Sequence, residues 1–311
     1  MKENNFFNRD IVSIKDLTKS ELEFIFDTTD NIGKLKPRER GQLATSRTLG
    51  YVFYEPSTRT RMSFEAAMAS IGGSSIGIFE PRSSSIEKGE TLYDTIRTVD
   101  LYSDVIVLRH QLDGSSRLAA EISTHPVINA GSGSEEHPTQ AMLDLYTIKK
   151  VKNRIDGLKI GILGDLKYGR TVYSLMYALA NYNVEIFLIS PPSLKIRKES
   201  IYGLADNMKI SEHTDFDDIA PKMDILYVTR IQRERFPDAQ EYEKVKGAYT
   251  VDKIMLNRFR QDVCIMHPMP RLDEISREVD FTENAIYFKQ ASYGKELRAA
   301  LLTLILNESP F

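Results

Sequence analysis

The sequence predicts an α/β protein built as two doubly wound parallel-sheet domains with a cleft between them. Three observations carry this expectation. Short apolar, β-branched runs alternate with helical stretches almost from end to end. The runs are apolar on both faces, as strands covered by helices on each side of a parallel sheet must be. They also form two series, parted by the small-residue stretch Asn129-Ala130-Gly131-Ser132-Gly133-Ser134, in a chain of 311 residues that is long for one core.

The elements follow in order. Thr18-Lys19-Ser20-Glu21 is a capping box, with Leu17 and Leu22 spaced as a hydrophobic staple across it. Leu22, Ile25 and Phe26 continue at helical spacing as one buried stripe. The first series of strands is Tyr51 to Tyr54, Ser75 to Phe79, Val105 to Leu108 and Val127-Ile128, with a helix expected over Met62 to Ile71. A helix over about Pro138 to Lys150 carries the chain into the second series. That series is Ile160 to Leu163, Val184 to Ile189, Ile225 to Val228 and Val263 to Met266, before a closing helix from Glu296 to Asn307. Strand-helix-strand alternation requires crossover helices and parallel pairing. The domain boundary is expected at 134/135.

Lys plus Arg (41) nearly balance Asp plus Glu (44), so no global field favours nucleic acid or an acidic membrane, and any anion must be held by a local cluster of cations. A single cysteine, Cys264, excludes an intrachain disulfide and a cysteine zinc site. The polar start and the lack of a long apolar run point to the cytoplasm. No metal and no cofactor is expected.

In open α/β sheets ligands gather at the carboxyl ends of strands. There the sequence places Glu55-Pro56-Ser57-Thr58-Arg59-Thr60-Arg61, leading into a helix. Hydroxyls and arginines at a helix start suit an oxyanion, because free N–H groups and the positive dipole end already favour negative charge. Ser57 or Thr58 alone would more simply be a cap; Arg59 in the same turn favours phosphate. Arg109 and His110 end one strand, His137 opens the next helix, and Gln140 lies three residues on, on the same side of it. In the second series Arg170, Arg230 with Gln232, and His267-Pro268-Met269-Pro270-Arg271 follow three strands. Arg109, Arg170 and Arg230 at three strand ends describe a polyanion pocket, since guanidinium forks match carboxylates and phosphates. Gly161-Ile162-Leu163-Gly164-Asp165 lacks the spacing of a dinucleotide turn, and no acidic residue follows Leu188-Ile189 to hold a ribose. Walker, H-E-x-x-H and G-x-S-x-G motifs are absent.

Ser57-Thr58-Arg59-Thr60-Arg61 resembles the carbamoyl phosphate signature of the aspartate and ornithine transcarbamoylases, and His137-Pro138-Thr139-Gln140 resembles their second shared motif. The resemblance runs over nearly the whole chain. His267-Pro268-Met269-Pro270 stands where ornithine enzymes carry His-Cys-Leu-Pro, and Arg230-Ile231-Gln232-Arg233-Glu234-Arg235 is similar to the aspartate-binding segment. Charge agrees: aspartate brings two carboxylates and needs cations, whereas ornithine brings an ammonium. The family pattern is not matched throughout: Met269 replaces a usual leucine, and no proline follows His110.

The resemblance implies a first domain that binds carbamoyl phosphate, completed by a C-terminal helix returning over about 292–311, and a second, 135–291, that binds L-aspartate. It implies that Ser57, Thr58, Arg59 and Thr60 hold the phosphate. Thr60, Arg109 and His137 would polarise the carbonyl, and Gln140 would fix the carbamoyl amide. Arg170, Arg230 and Gln232 would grip aspartate, and backbone near Met269 and Pro270 would contact the reacting nitrogens. Ser84 and Lys88, in Ser84-Ser85-Ile86-Glu87-Lys88-Gly89-Glu90-Thr91, are implied to arrive from an adjacent subunit of a homotrimer. A zinc-bearing regulatory chain joining trimers is compatible with this, as is a place at the committed step of de novo pyrimidine biosynthesis. The rival readings are a two-domain anion-binding clamp without turnover and a transferase for another amine, such as ornithine or an acylated derivative.

Overall fold

The computed structural model describes residues 4–79, 88–134, 136–204, 208–231 and 238–309. The chain divides into two compact units, Met1–Leu143 with Tyr293–Phe311, and Asp144–Ser292.

The first unit runs through Lys19–Lys34 (α1), Pro37–Arg40 (α2), Thr48–Phe53 (β1), Thr58–Ser70 (α3), Ser74–Ile78 (β2), Leu92–Asp100 (α4), Val105–His110 (β3), Ser115–Ile122 (α5), Val127–Ser132 (β4) and the start of Pro138–Lys152 (α6). At α1 the predicted capping box is formed: Thr18 Oγ1 accepts the Glu21 N–H at 3.3 Å, and the Glu21 carboxylate accepts the Thr18 N–H at 2.8 Å. Leu17 and Leu22 are buried on either side of it. The four strands pair in parallel in the order β2-β1-β3-β4. Val52, Ile106, Leu108 and Val127 pack with Ile96, Val99 and Ala119 of the covering helices, each large aliphatic contributing roughly 1.5–3 kcal/mol by leaving water.

The free edge of β4 is covered by the chain's own beginning. The Ile11 N–H donates to Val127 O at 2.8 Å and the Asn129 N–H to Ile11 O at 2.9 Å, so the edge is not left open for pairing with another chain.

The second unit runs through Lys159–Leu163 (β5), Arg170–Leu179 (α7), Glu185–Ile189 (β6), Lys198–Ile201 (α8), Lys209–His213 (β7), Ile225–Val228 (β8), Ala239–Val245 (α9), Lys253–Leu256 (α10) and Cys264–Met266 (β9). Its parallel order is β7-β6-β5-β8-β9. The apolar pattern misses only β7, whose Lys-Ile-Ser-Glu-His sequence is polar because it is an edge strand. Lys209 and Lys159 flank Glu185 across three neighbouring strands at 2.8 and 3.3 Å.

Tyr287–Leu306 (α11) is longer than the closing helix expected from sequence, and residues from Tyr293 onward belong to the first unit. Asn4 Nδ2 donates to Leu304 O at 2.9 Å, Asn8 N to Ile305 O at 3.0 Å, and Arg298 Nη1 to Ser63 Oγ of α3 at 2.7 Å. The return of the C-terminal helix to the first sheet's unit is thus fastened at Arg298 and again in its last turn, at Leu304 and Ile305. The Leu143/Asp144 divide falls inside α6, beyond the small-residue stretch. Among the described residues no helix is long and apolar enough to cross a membrane.

Candidate active site

Each sheet reverses its strand order once, between β1 and β3 in the first unit and between β5 and β8 in the second. Carboxyl ends at such a switch point diverge and leave a crevice. Apart from Ser84 and Lys88, which come after β2 in the sequence, the residues singled out from sequence follow these strands and their outer neighbours β4 and β9.

In the first unit, α3 begins four residues earlier than the sequence pattern indicates, which puts Thr58, Arg59 and Thr60 in its opening turn. Ser57 is the N-cap residue, yet its side chain makes no capping bond, so the bland capping reading fails. Thr58 and Arg59 are exposed and Thr60 is buried. Arg61 faces elsewhere: its guanidinium lies 4.2 Å over the Phe79 ring, with Glu65 at 3.7 Å. Arg109 pairs in register with Phe53 on the neighbouring strand. Its Nε lies 3.3 Å from Glu55 Oε2, and Nη1 donates to Ala130 O at 3.2 Å.

The acceptor Ala130 sits in a β-bulge. Register runs Leu108 to Asn129 and then His110 to Ser132, so β4 carries one extra residue, a device that re-aims side chains beside a site. His110 itself shapes the turn: Nδ1 accepts the Leu112 N–H at 3.0 Å, the ring packs edge-on to Tyr54 at 4.4 Å, and burial lowers its pKa. Gly133 follows at φ +52, where a Cβ would strike the Asp113 carboxylate at 1.6 Å and lie 2.7 Å from the Asp113 backbone N, so any side chain here is strained and must displace Asp113. Glu136 then anchors the approach to α6, its carboxylate accepting Ser13 Oγ at 2.6 Å and the Ile14 N–H at 2.8 Å. Burial pushes that carboxyl's pKa up. His137 and Gln140 come next, both buried, and His137 O accepts the Gln140 and Ala141 N–H groups that start the helix. Lys88 is exposed ahead of α4.

In the second unit, Gly164 has φ +122, and a Cβ there would lie 2.2 Å from Thr229 O. The glycine lets the loop after β5 close onto the loop after β8. Asp165, fully buried, accepts the Lys167 and Tyr168 N–H groups at 3.1 and 2.9 Å and bends the chain toward α7. Arg170 is the first residue of that helix and is buried. Arg230 follows Thr229 and is half-buried; with Gly164, Thr229, Tyr249, Leu272 and Glu274 it lines a pocket.

After β9, His267 organises its loop. Nδ1 accepts the Met269 N–H at 2.8 Å, so the ring proton sits on Nε2 and is donated to Glu274 Oε1 at 2.7 Å. Burial pushes the imidazole pKa down against the pull of Glu274. Met269 has φ +57 and is joined to Pro270 by a cis peptide bond.

Ser84 and Gln232, and with it Arg233 to Arg235, lie outside the described residues. Among the described residues no group of three His, Cys, Asp or Glu side chains could hold a metal ion. Sequence patterns single out candidate ligand-facing residues but not the groups that hold them: Glu55 on Arg109, Glu136 ahead of His137, Asp165 ahead of Arg170 and Glu274 on His267. A usable signal existed for Asp165, an acid two residues after a β-strand in an otherwise apolar run; the others are marked only by their folded neighbours.

Comparison with known proteins also divides the chain in two, within or just after α6. Residues 9–150 match the carbamoyl-P binding domain, and residues 156–305 the Asp/Orn binding domain, of the aspartate/ornithine carbamoyltransferases. The aspartate carbamoyltransferase catalytic subunit of Nitrosopumilus maritimus is 60% identical over 99% of this chain and 100% of its own, and that of Cenarchaeum symbiosum is 58% identical over 98% and 99%. Among solved structures, the catalytic subunit of M. jannaschii aspartate transcarbamoylase superposes with a TM-score of 0.87 at 49% identity, over 95% of this chain and 97% of that one. The Trypanosoma cruzi enzyme in complex with carbamoyl phosphate superposes with a TM-score of 0.92 at 36% identity, over 98% of both chains. Both halves of the chain match in order, and relatives above half identity span nearly all of it: the protein belongs to the aspartate/ornithine carbamoyltransferase family.

Proposed function

We propose that the protein transfers the carbamoyl group of carbamoyl phosphate to the amino group of L-aspartate, giving N-carbamoyl-L-aspartate and phosphate. The observation that carries this reading is the opening turn of α3: an N-cap serine that does not cap, followed by Thr58, Arg59 and Thr60, beside Arg109 at the neighbouring strand end. Hydroxyls, a helix N-terminus and guanidinium groups at one switch point suit a phosphate and the oxyanion that develops next to it. Arg170 and Arg230, in the second unit, suit the two carboxylates of aspartate and oppose the ammonium of ornithine.

The neutral amine attacks the carbamoyl carbon, a tetrahedral oxyanion forms, and the C–O bond to phosphate breaks. Ser57, Thr58, Arg59 and Thr60 hold the phosphate, Thr60, Arg109 and His137 donate to the carbonyl oxygen, and Gln140 fixes the carbamoyl amide. Arg170, Arg230 and Gln232 orient aspartate, and carbonyl groups at Met269 and Pro270 receive the nitrogens. No side chain in this set is a general base, and the departing phosphate takes the amine proton. Catalysis is then orientation plus charge stabilisation, which needs no covalent intermediate.

The active assembly is a homotrimer in the cytoplasm, at the committed step of pyrimidine synthesis, with Ser84 and Lys88 serving a neighbouring copy. Mixing two inactive variants, Lys88→Ala and Arg59→Ala, is expected to restore activity in hybrid trimers; no recovery would remove the shared site. The reaction itself is tested by a colorimetric ureido-product assay with carbamoyl phosphate and either aspartate or ornithine. Product with aspartate alone is expected. Product with ornithine alone would overturn the assignment of Arg170 and Arg230.

A further inference from the structure

We propose that Asp144, Tyr227 and Gln290 form a buried hydrogen-bond hub that positions the aspartate-binding segments of the second unit. The proposal rests on the carbamoyl-transfer reading above and extends it to residues that touch no substrate. Asp144 lies on α6 among Leu143, Leu145, Tyr146 and Ile148, and none of its surface is exposed. Its Oδ2 accepts the Tyr227 hydroxyl at 2.8 Å and its Oδ1 accepts Gln290 Nε2 at 2.7 Å. Gln290 Oε1 in turn accepts the backbone N–H of His267 at 2.9 Å. The Tyr227 hydroxyl also meets the side chain of Thr171.

Each arm of this hub ends one step from a ligand-facing group. Thr171 follows Arg170 at the head of α7. Tyr227 stands on β8 three residues before Arg230. His267, whose ring holds the Met269 N–H, stands two residues before Met269. Three segments far apart in sequence thereby share one acceptor.

A carboxyl group without exposure costs folding free energy that apolar side chains of similar size do not. Packing alone therefore gives no reason for Asp144 at this place. A single carboxyl that fixes the directions of several donors gives one: it selects one arrangement of three segments, where an apolar cluster would tolerate several.

Steady-state kinetics on Asp144→Ala, Asp144→Asn, Gln290→Leu and Tyr227→Phe test this, with thermal unfolding measured on each. Asp144→Ala and Gln290→Leu are expected to raise KM for aspartate and lower kcat, by about 10- to 100-fold together. KM for carbamoyl phosphate should stay within about twofold, since its proposed contacts lie in the first unit. Asp144→Asn should recover most of the loss, because the amide oxygen still accepts from Gln290 and the tyrosine hydroxyl can turn to accept. Folded Asp144→Ala or Gln290→Leu protein with wild-type kinetics, or with both substrates weakened equally, would overturn the hub. Should those two variants not fold, Tyr227→Phe, which removes only the hydroxyl and its bonds to Asp144 and Thr171 and leaves the ring packed, decides: an aspartate KM unchanged from wild type overturns it. Absence of ureido product from the wild-type protein is a different failure, and would fall on the functional reading itself.

Discussion

Thr58 and Arg59 lie exposed in the opening turn of α3, whereas Arg170, in the opening turn of α7, is only 7% exposed. The two helices begin alike, each after a strand at the switch point of its sheet. Their surroundings differ. The proposed phosphate-binding group is assembled from consecutive residues, Ser57 to Thr60, whose directions follow from one helix start. The proposed aspartate-binding group is assembled from the ends of three strands, and its geometry depends on contacts between loops: Gly164 against Thr229, Asp165 folding its own turn, His267 on Glu274 and on Gln290. An exposed local site should lose function without losing stability when a side chain is removed. A buried, distributed one should lose both, and should be vulnerable far from the ligand.

The sharpest break in that contrast is Arg59→Ala. Deleting one preformed donor to a developing charge costs about 100- to 1000-fold in turnover, and an exposed substitution shifts stability by about 0.5 kcal/mol or less. Carbamoyl phosphate kinetics and thermal unfolding, measured together, are expected to show the first without the second. A fall in melting temperature of many degrees would make Arg59 a structural residue. Arg230→Ala comes next. Losing one partner of a charge-assisted pair costs roughly 2–5 kcal/mol, expected here as a rise in aspartate KM with carbamoyl phosphate KM nearly unchanged. An aspartate KM left intact would remove Arg230 from the substrate contacts.

Gly164→Ala probes the loop contact without touching a ligand-facing side chain. The new Cβ would need to displace Thr229 O, and a non-glycine residue at φ +122 is itself strained; together these cost about 1–3 kcal/mol or more. Lower thermal stability and a raised aspartate KM are expected in the same variant, since Thr229 precedes Arg230. Lower stability with unaltered aspartate kinetics would separate the fold from the site in this unit. The corresponding change at Gly133, which would meet Asp113, should affect the carbamoyl phosphate side instead.

Locality also sets what could be read in advance. Every buried strand was visible as an apolar run, and only the polar edge strand β7 was not, because one of its sides meets water rather than a neighbouring strand. Ser57 to Thr60 announced themselves by residue type and adjacency. Arg170 and Arg230 were found through strand ends, a rule of topology that carries no information about what holds them. Glu55, Glu136, Asp144 and Gln290 act through partners between 54 and 146 residues away, and nothing within a short window of sequence records such a pairing; Glu274 lies seven residues from His267, but only the folded loop brings the two together. The helices are legible in kind but short at their ends: α3 is expected from Met62 and begins at Thr58, because its first turn, Thr58-Arg59-Thr60-Arg61, is polar and gives no apolar signal.

The smallest expected effect concerns His267, a buried histidine of the second unit. Its imidazole pKa is pushed below the ordinary value, first by burial, with Glu274 pulling the other way. The unfolded chain therefore takes up a proton near the usual histidine pKa while the folded protein does not, and the unfolded state binds more protons between the two values. Stability must then rise with pH across that window and fall as pH drops below about 6.5. Protonation in the folded state would also remove the lone pair on Nδ1 that accepts the Met269 N–H, so the aspartate side should weaken with it. In the first unit the buried His137 accepts the Gln140 and Ala141 N–H groups through its carbonyl, contacts that protonation of its ring leaves in place. Thermal unfolding between pH 5 and 7, compared in wild type and His267→Gln, measures the effect. A slope that survives the substitution unchanged would assign the acid sensitivity to other groups and leave His267 with a purely geometric part in holding Met269.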